Sequence, residues 1–372
     1  MPRIRTSEVF VPGKLPAYTY NARDELFLER SLEDYVEEAG KILTLAGPTK
    51  TGKTVLLRKV LDAPVWLDGQ GITGVGELWR RVVDELGSFD TEEVSEDNAT
   101  TGEGSGGFGV NLGPLSGNIG AGAGFSRGTG ARASAARALN VVGRDALLAA
   151  GRPLVIDDFH FIERDVQREV VRALKPLVLA GLPIVFVSIS HRVREVVTAE
   201  ADMTGRVSTL SIDFWSQEDL LVIAQKGFEY LNVQDPLELA SKLAEQSYGS
   251  PHLMQQFCRE LCKLNGVREE AESPVALQAP ESWPEFFKAQ VDLSSEDWAL
   301  RFLRGPQERG SSRTQYPSVL GVNLDGYGLC LMAIARSGPK LSLSKDELRA
   351  GIAALVTTDS APGGPQTTSF LK

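Results

Sequence analysis

Ile42-Leu43-Thr44-Leu45-Ala46-Gly47-Pro48-Thr49-Lys50-Thr51-Gly52-Lys53-Thr54-Val55-Leu56-Leu57 is the stretch whose reading decides the fold. A short apolar strand, Ile42 to Ala46, runs into a glycine-containing turn, and Leu56, Leu57, Val60 and Leu61 continue at helical spacing beyond it. The eight residues from Gly47 to Thr54 match the pattern G-x-x-x-x-G-K-[ST] in full, with a strand before and a helix after. Each residue type has a physical reason. Gly47 and Gly52 let the backbone turn its N–H groups inward around phosphates. The helix that starts near Lys53 adds its N-terminal partial charge. Lys53 brings a point charge to the β and γ phosphates, and Thr54 offers a hydroxyl to Mg²⁺. A turn that merely joins a strand to a helix has no need of the Lys-Thr pair. The stretch therefore predicts a phosphate-binding loop for ATP with Mg²⁺.

Four more short apolar runs follow: Pro64 to Leu67, Pro153 to Ile156, Pro183 to Val187 and Val207 to Ile212. Helical patterns lie between them, including residues 23–39, where Leu26, Leu28, Leu32 and Tyr35 are the candidate apolar positions, and roughly 75–87. Strands alternating with helices predict parallel βαβ units and a sheet covered on both faces. Residues 88–134 interrupt the alternation, first with Asp90, Glu92, Glu93, Glu96 and Asp97, then with a glycine-dense run from Gly102 to Gly130. Glycine at that density costs too much backbone entropy for an ordinary core element. The segment reads as a surface insertion or as a glycine-rich hairpin that orders against a neighbouring subunit.

After residue 214 the strand signals stop. Gln217 to Leu231, Pro236 to Gln246 and His252 to Leu264 predict three helices, followed by a polar linker near 265–280 and helical material around 283–304. Tyr327 to Leu355 predicts two more helices, the second capped by Ser344 with Glu347 near the capping-box position. The expected division is a core over 1–214, a helical lid over 215–265, a helical and linker region over 266–325, and a last segment over 326–372.

The partner of the phosphate loop is Leu154-Val155-Ile156-Asp157-Asp158, a buried-strand pattern ending in acids. One carboxylate can hold the metal's hydration shell and the next can orient attacking water, which assigns Asp157 to Mg²⁺ and Asp158 to water. The following strand ends in Ser188-Ile189-Ser190-His191-Arg192. Polar groups at that end can sense a γ-phosphate, with Ser190 and Arg192 the candidates; helix capping and a solvated arginine are the alternative. Trp79 and Trp215 sit at helical positions and are expected in the core.

The order of strand, phosphate loop, insertion, acidic strand, polar-ended strand, Arg206-Val207 and helical region resembles the AAA+ and STAND branch of P-loop ATPases. Tyr20-Asn21-Ala22-Arg23-Asp24-Glu25 stands where those families place a nucleotide-base clamp, although their usual Gly-Arg pair reads Ala22-Arg23. Tyr248-Gly249-Ser250-Pro251-His252-Leu253 is similar to their Gly-x-Pro lid motif, with His252 where an arginine is usual. The resemblance covers residues 15–265. It implies an α/β P-loop core with a parallel five-stranded sheet and an α-helical lid, and a nucleotide-binding set of Gly47, Pro48, Thr49, Lys50, Thr51, Gly52, Lys53, Thr54 and Val55 with Arg23, Pro251 and His252. It further implies Thr54 and Asp157 as metal ligands, and Lys53, Asp158, Arg192 and Arg206 as catalytic groups, Arg206 as an arginine finger reaching a neighbour or else a surface arginine. The function it implies is an ATP-hydrolysing molecular switch or assembly ATPase, slow and regulated, in signalling, defence or regulation. A protein effector or trigger and a homo-oligomer in the ATP state are its expected partners. A DNA-loading or transposition regulator on duplex DNA, and a dedicated metabolic or mechanical ATPase, are the competing readings. Residues 327–372 resemble the first two helices of a winged helix, cut short at Gln366 to Lys372, where a third would begin.

Composition limits these options. The chain has 49 acidic and 39 basic side chains and a net charge of −10, and no run of clustered Lys and Arg marks a nucleic-acid surface. Cys258, Cys262 and Cys330 form no disulfide framework or ligand spacing and are expected as buried thiols. No apolar stretch approaches the roughly 18 to 20 residues of a membrane span, and no secretory h-region follows Met1; the cytoplasm is the expected compartment.

Replacing Lys53 by Ala removes the motif's phosphate-facing cation. ATP affinity is expected to fall by about tenfold or more, roughly 1.4 kcal/mol. Calorimetry on the folded Lys53→Ala chain measures this, and an unchanged affinity would exclude the phosphate-loop reading.

Overall fold

The computed structural model describes residues 3–87, 129–189, 205–291, 301, 303, 313–340, 342–357 and 362, with side chains in the helix Thr129–Ala150 described from residue 139. Most of the glycine-dense insertion lies outside the described residues, as do Ser190, His191 and Arg192 and the expected third-helix start at 366–372.

Five strands form one sheet: β1 (Ile42–Ala46), β2 (Val65–Asp68), β3 (Leu154–Asp157), β4 (Ile184–Ser188) and β5 (Val207–Ser211), in the order β2-β3-β4-β1-β5. All pairings are parallel, and β1 is central, matching Ile42 to Ile184 and to Val207, and Ala46 to Ser188 and to Ser211. Every residue of β1 and β4 is buried, which is why these strands are continuous apolar runs rather than alternating ones. Successive side chains nonetheless go to opposite faces. Ile42, Ile156, Ile184 and Phe186 join a core with α4 (Val75–Glu85), α5 (Thr129–Ala150) and α6 (Arg164–Leu179), which includes Trp79, Val82, Leu147, Val170 and Leu174; the short first helix, α1 (Thr6–Val9), packs elsewhere. Leu43, Leu45, Val155, Val185 and Val187 join the other, with α2 (Leu28–Glu38) and α3 (Lys53–Val60) supplying Leu28, Leu32, Tyr35, Leu56 and Leu57. Tyr35 fastens α2 to the sheet: its hydroxyl lies 2.7 Å from the Ile184 carbonyl and accepts the Ile184 N–H at 2.8 Å. Burial pushes this phenol up to about 12.

The helix expected over 23–39 is shorter. Residues Asp24–Leu26 form a separate 3₁₀ turn, because Arg23 (φ 52°) and Phe27 (φ 49°) adopt left-handed backbone that an α-helix cannot contain. Leu26, expected on the apolar face, is consequently exposed.

Beyond the sheet, helices Gln217–Tyr230, Leu239–Gln246 and Pro251–Leu264 enclose a separate core. The middle helix starts later than Pro236; the Asp235 carboxylate accepts the N–H groups of Leu239 and Ala240 from outside it, both at 2.8 Å. The expected polar linker contributes to this core: Val275–Ala276 pairs in parallel with Val233–Gln234, and Leu277 is fully buried. A two-residue strand has no periodicity for a sequence pattern to register. Although residues 1–214 read as one unit in the sequence, Val9 and Phe10 pack among these helices, and Thr6 N–H donates to the Arg268 carbonyl at 2.9 Å. Cys258 and Cys262 are buried free thiols here; burial pushes Cys262 up to about 12.

A further cluster unites Tyr316, Leu329, Cys330, Leu348 and Ile352 from an antiparallel pair (Tyr316–Pro317 with Asn323–Leu324) and helices Gly326–Arg336 and Lys345–Leu355. Ser344 and Glu347 form the reciprocal capping box, with N–H donation at 2.9 and 3.2 Å. Among the described residues no helix is long and apolar enough to cross a membrane.

Phe10 stacks edge-on to Phe228, with ring centroids 5.8 Å apart, and rests on Gly227, where a Cβ would lie 2.2 Å from its ring. Gly227→Ala must therefore displace a fully buried phenyl. The urea midpoint is expected to fall by an amount equivalent to about 1–3 kcal/mol. An unchanged midpoint would mean that Phe10 does not occupy that place.

Candidate functional site

The loop between β1 and α3 is shaped by two close constraints. A Cβ on Gly47 would lie 2.2 Å from the Ile212 carbonyl oxygen, so only glycine lets the loop pass the end of β5. Gly52 has φ +97°, left-handed backbone that opens directly into α3. Thr51 Oγ1 donates to the Pro48 carbonyl at 2.9 Å and closes the loop on itself. Lys53 Nζ donates to the carbonyls of Gly47 and Pro48 at 2.9 and 2.6 Å, and burial holds its ammonium below the ordinary lysine value.

Parallel pairing carries β3 to the same end of the sheet. Thr54 Oγ1 donates to Asp157 Oδ2 at 3.4 Å, and the other carboxylate oxygen accepts the Asp158 N–H at 3.0 Å. Burial, then the neighbouring Asp158, raises the Asp157 carboxyl above its usual range. The site thus holds a desolvated cation and a desolvated anion, and a divalent cation beside Thr54 and Asp157 would favour the carboxylate form. Among the described residues no cluster of three or more His, Cys, Asp or Glu could hold a metal. The donor set fits Mg²⁺ that arrives with phosphates and takes only one or two ligands from protein. Asp158 has left-handed backbone (φ 51°) and a half-exposed side chain, and it precedes the 3₁₀ turn Phe159–Phe161.

Above the loop opens a cleft of about 590 Å³, within the size range of small-molecule sites. Its walls are residues 11–23, the phosphate loop with the start of α3, and the lid through Trp215, Ile223, Pro251, His252 and Gln255. Lys14, Arg23, Lys50, Lys53 and Arg58 line it along with His252, and among the described residues no Asp or Glu does. In a chain of net charge −10 this is a local reversal of sign, and a low-dielectric cleft focuses such a field.

Trp79 is in the core, at 2% exposure, whereas Trp215 is partly buried: it packs against the edge of the lid core and also lines the cleft. Trp215 follows β5 by only a few residues, and its indole N–H donates to the Thr51 carbonyl at 2.9 Å. The almost fully buried Arg23 places its guanidinium 4.6 Å from the centre of that indole ring. The backbone N–H of Arg23 donates to Asn21 Oδ1, and Asn21 Nδ2 donates to the Asp219 carbonyl, each at 3.1 Å. Gln255, missed in the sequence, accepts the Val11 N–H at 3.0 Å and donates to Thr19 Oγ1 at 2.6 Å. Its signal was available: Gln255 is four residues after Pro251, a polar residue on the helix face that is otherwise buried.

Of the other expected residues, Val55, Pro251 and His252 line the cleft. Arg192 lies outside the described residues, while Ser188 ends β4 fully buried, its carbonyl accepting the Gly47 N–H at 3.3 Å. Arg206 is not brought to this chain's own loop. Its carbonyl accepts the Ile42 N–H at 2.8 Å, at the opposite end of β1, roughly 15 Å away at about 3.3 Å per strand residue.

No family profile matches the chain, and no curated protein matches it. Among solved structures it is similar to the ORC2 protein of Aeropyrum pernix, described in ADPNP-ADP complexes, at 14% identity and a TM-score of 0.54, covering 100% of this chain and 89% of that one. It is also similar to the RuvB Holliday junction branch migration motor of Thermotoga maritima (14% identity, TM-score 0.39, 67% of this chain and 66% of that one). A third is the STAND protein with a tetratricopeptide repeat sensor of Pyrococcus horikoshii (13%, 0.40, 77% of this chain and 35% of that one). The chain thus spans just under two thirds of the RuvB motor and about a third of the STAND protein. The ORC2 likeness, with the β2-β3-β4-β1-β5 order and the loop between β1 and α3, shows that the chain shares the fold of that protein, an α/β core with a parallel five-stranded sheet and a phosphate-loop turn.

Trp215→Phe keeps a ring beneath Arg23 but removes the N–H held by Thr51. A lost hydrogen bond of about 0.5–1.5 kcal/mol predicts ATP binding weaker by roughly twofold to tenfold, measured by calorimetry. Unaltered affinity would show that the lid tryptophan does not order the loop.

Proposed function

We propose that the chain is an ATP- and Mg²⁺-dependent molecular switch that couples the nucleotide in its cleft to assembly with copies of itself or to a protein effector. One observation carries this reading: the cation-lined cleft is walled by three separate parts of the chain, so whatever fills it contacts loop, N-terminal segment and lid together. The adenine nucleotides named with the ORC2 structure make ATP the occupant we favour.

In this reading the backbone from Gly47 to Thr54 and the Lys53 ammonium hold the phosphates, with Val55, Arg23, Trp215 and Pro251 toward the base and ribose. Thr54 and Asp157 would hold Mg²⁺, which would supply neutralisation of the phosphate charge. Asp158, half-exposed next to Asp157, orients the attacking water. Lys53 has to exchange its loop carbonyls for phosphate oxygens as the nucleotide binds. The division that we assign is a core over 1–214, a lid over 215–265, a helical and linker region over 266–325 and a partial winged-helix-like segment over 326–372, with residues 4–10 docked on the lid.

Hydrolysis in this reading is slow until a second copy arrives. Arg206 stands at the far end of the parallel sheet from its own loop, so it can complete only a neighbour's site. An arginine supplied in trans stabilises charge that spreads over the transferred phosphoryl group. Specific ATPase activity is then expected to rise with protein concentration, and Arg206→Ala to lose that rise while ATP affinity stays within about twofold. Light scattering with a non-hydrolysable ATP analogue reads the assembly directly. Activity strictly proportional to concentration, with no oligomer under any nucleotide condition, would leave a self-contained monomeric ATPase.

A further inference from the structure

His252 is the one titratable side chain near neutrality in the cleft lining, and it is half-buried at the second position of the lid helix Pro251–Leu264. Its ring rests on Gly13: Cε1 and Nδ1 lie 3.7 and 4.0 Å from the place a Gly13 Cβ would take. The charged groups around it share one sign. Lys50 acts on it from the phosphate loop and Arg259 from its own helix. Lys14 and Arg23 line the same cleft from the N-terminal segment. The residues contributed by the β5 exit and the helix Gln217–Tyr230, namely Ile212, Trp215 and Ile223, bear no ionisable group; Asp213 and Asp219 of those segments act on Arg23 from outside the lining, and among the described residues no carboxylate lines the cleft. Burial, then Lys50 and Arg259, accordingly keep the imidazole below the ordinary histidine value and neutral at pH 7.

We propose that His252 takes up a proton when a nucleoside triphosphate enters the cleft, so that the lid presents a new cation to the phosphates only when they are bound. The inference rests on the nucleotide-binding reading above and adds its regulation. A polyanion beside Lys50 reverses the sign of the field at His252, which then favours the imidazolium that the free cleft opposes. Linkage fixes the direction of the pH dependence. The free protein's pKa is lowered and the bound one is raised, so binding gains a proton between the two values. Within that window affinity falls by up to about tenfold per pH unit as pH rises, and it is flat on either side. The same coupling makes lid engagement stronger in mildly acidic conditions.

The test is calorimetry of the full chain with a non-hydrolysable ATP analogue, under saturating Mg²⁺ so that the nucleotide carries no proton of its own. Titrations at pH 7 in buffers of low and high ionisation enthalpy give the number of protons taken up. Wild type is expected to take up a fraction of one proton, and His252→Gln none, with affinity independent of pH. His252→Arg, a permanent cation, is expected to bind without uptake and to keep at pH 8 the affinity that wild type shows only at lower pH. Tight binding by wild type with no proton uptake, or equal uptake by wild type and His252→Gln, would overturn the proposal while leaving nucleotide binding intact. No analogue binding at any pH would overturn both. Thermal midpoints establish that the variants are folded, and the wild-type pH profile stands even if one is not.

Discussion

The hydrogen bond from the Trp215 indole to the Thr51 carbonyl is the contact on which the arrangement of the site depends. Thr51 belongs to the phosphate loop, Trp215 opens the lid, and Arg23 of the N-terminal segment closes over the same indole ring. Remove that bond, and the cleft has three walls with no shared fixed point among them. The Thr51 carbonyl is left for it, because the Gly47 and Pro48 carbonyls are taken up within the loop by Lys53 Nζ and Thr51 Oγ1. A ligand that ordered the loop would therefore also order the carbonyl that Trp215 holds. This couples the two without a long pathway.

Electrostatics sets the second constraint. The protein as a whole repels polyanions at a net charge of −10, yet Lys14, Arg23, Lys50, Lys53 and Arg58 line the cleft, and among the described residues no Asp or Glu joins them in that lining. Lys53 and Asp157 are each displaced by burial toward their neutral forms. Such groups are costly to keep desolvated in isolation, and phosphates with a divalent cation give each an opposite charge. The site gains most from a ligand that carries both signs at once, which describes a magnesium triphosphate more closely than an anion alone.

The sheet and its loop were legible from residues 42–57 because two strong local signals agree there, an apolar strand and a glycine-bounded turn ending in Lys53-Thr54. Strand existence could likewise be read from five short apolar runs, since both faces of a parallel sheet are covered and the runs are unbroken. Three features were hidden for distinct physical reasons. Trp215 looks like a core residue because its aromatic body is apolar, and only the three-dimensional position of Thr51 reveals what the indole N–H does. Residues 4–10 dock on helices more than two hundred positions away, as the Thr6 to Arg268 bond shows, and no local pattern encodes a contact of that separation. The break at Arg23 and Phe27 arises from left-handed backbone in residues whose propensities do not announce it.

That break has a mechanical meaning. Phe10 is anchored in the lid core against Phe228 and Gly227, whereas α2, beginning at Leu28, is anchored to the sheet through Leu32 and Tyr35. Residues 11–27 therefore form a strap with one end on each body, and it is this strap that walls the cleft. Gln255 ties Val11 and Thr19 to the lid helix, and Asn21 ties the strap to the Asp219 carbonyl, while the Tyr20 hydroxyl donates to Glu29 of α2 at 2.7 Å, so the strap is bonded to both bodies. Between Arg23 and Phe27, left-handed residues interrupt the helix. Arg23, stacked on Trp215, is where the strap and the lid meet. A ligand that touched Arg23, Lys50 and His252 together would contact all three walls of the cleft. It would shift a balance between open and closed arrangements only by the difference in its contacts in the two.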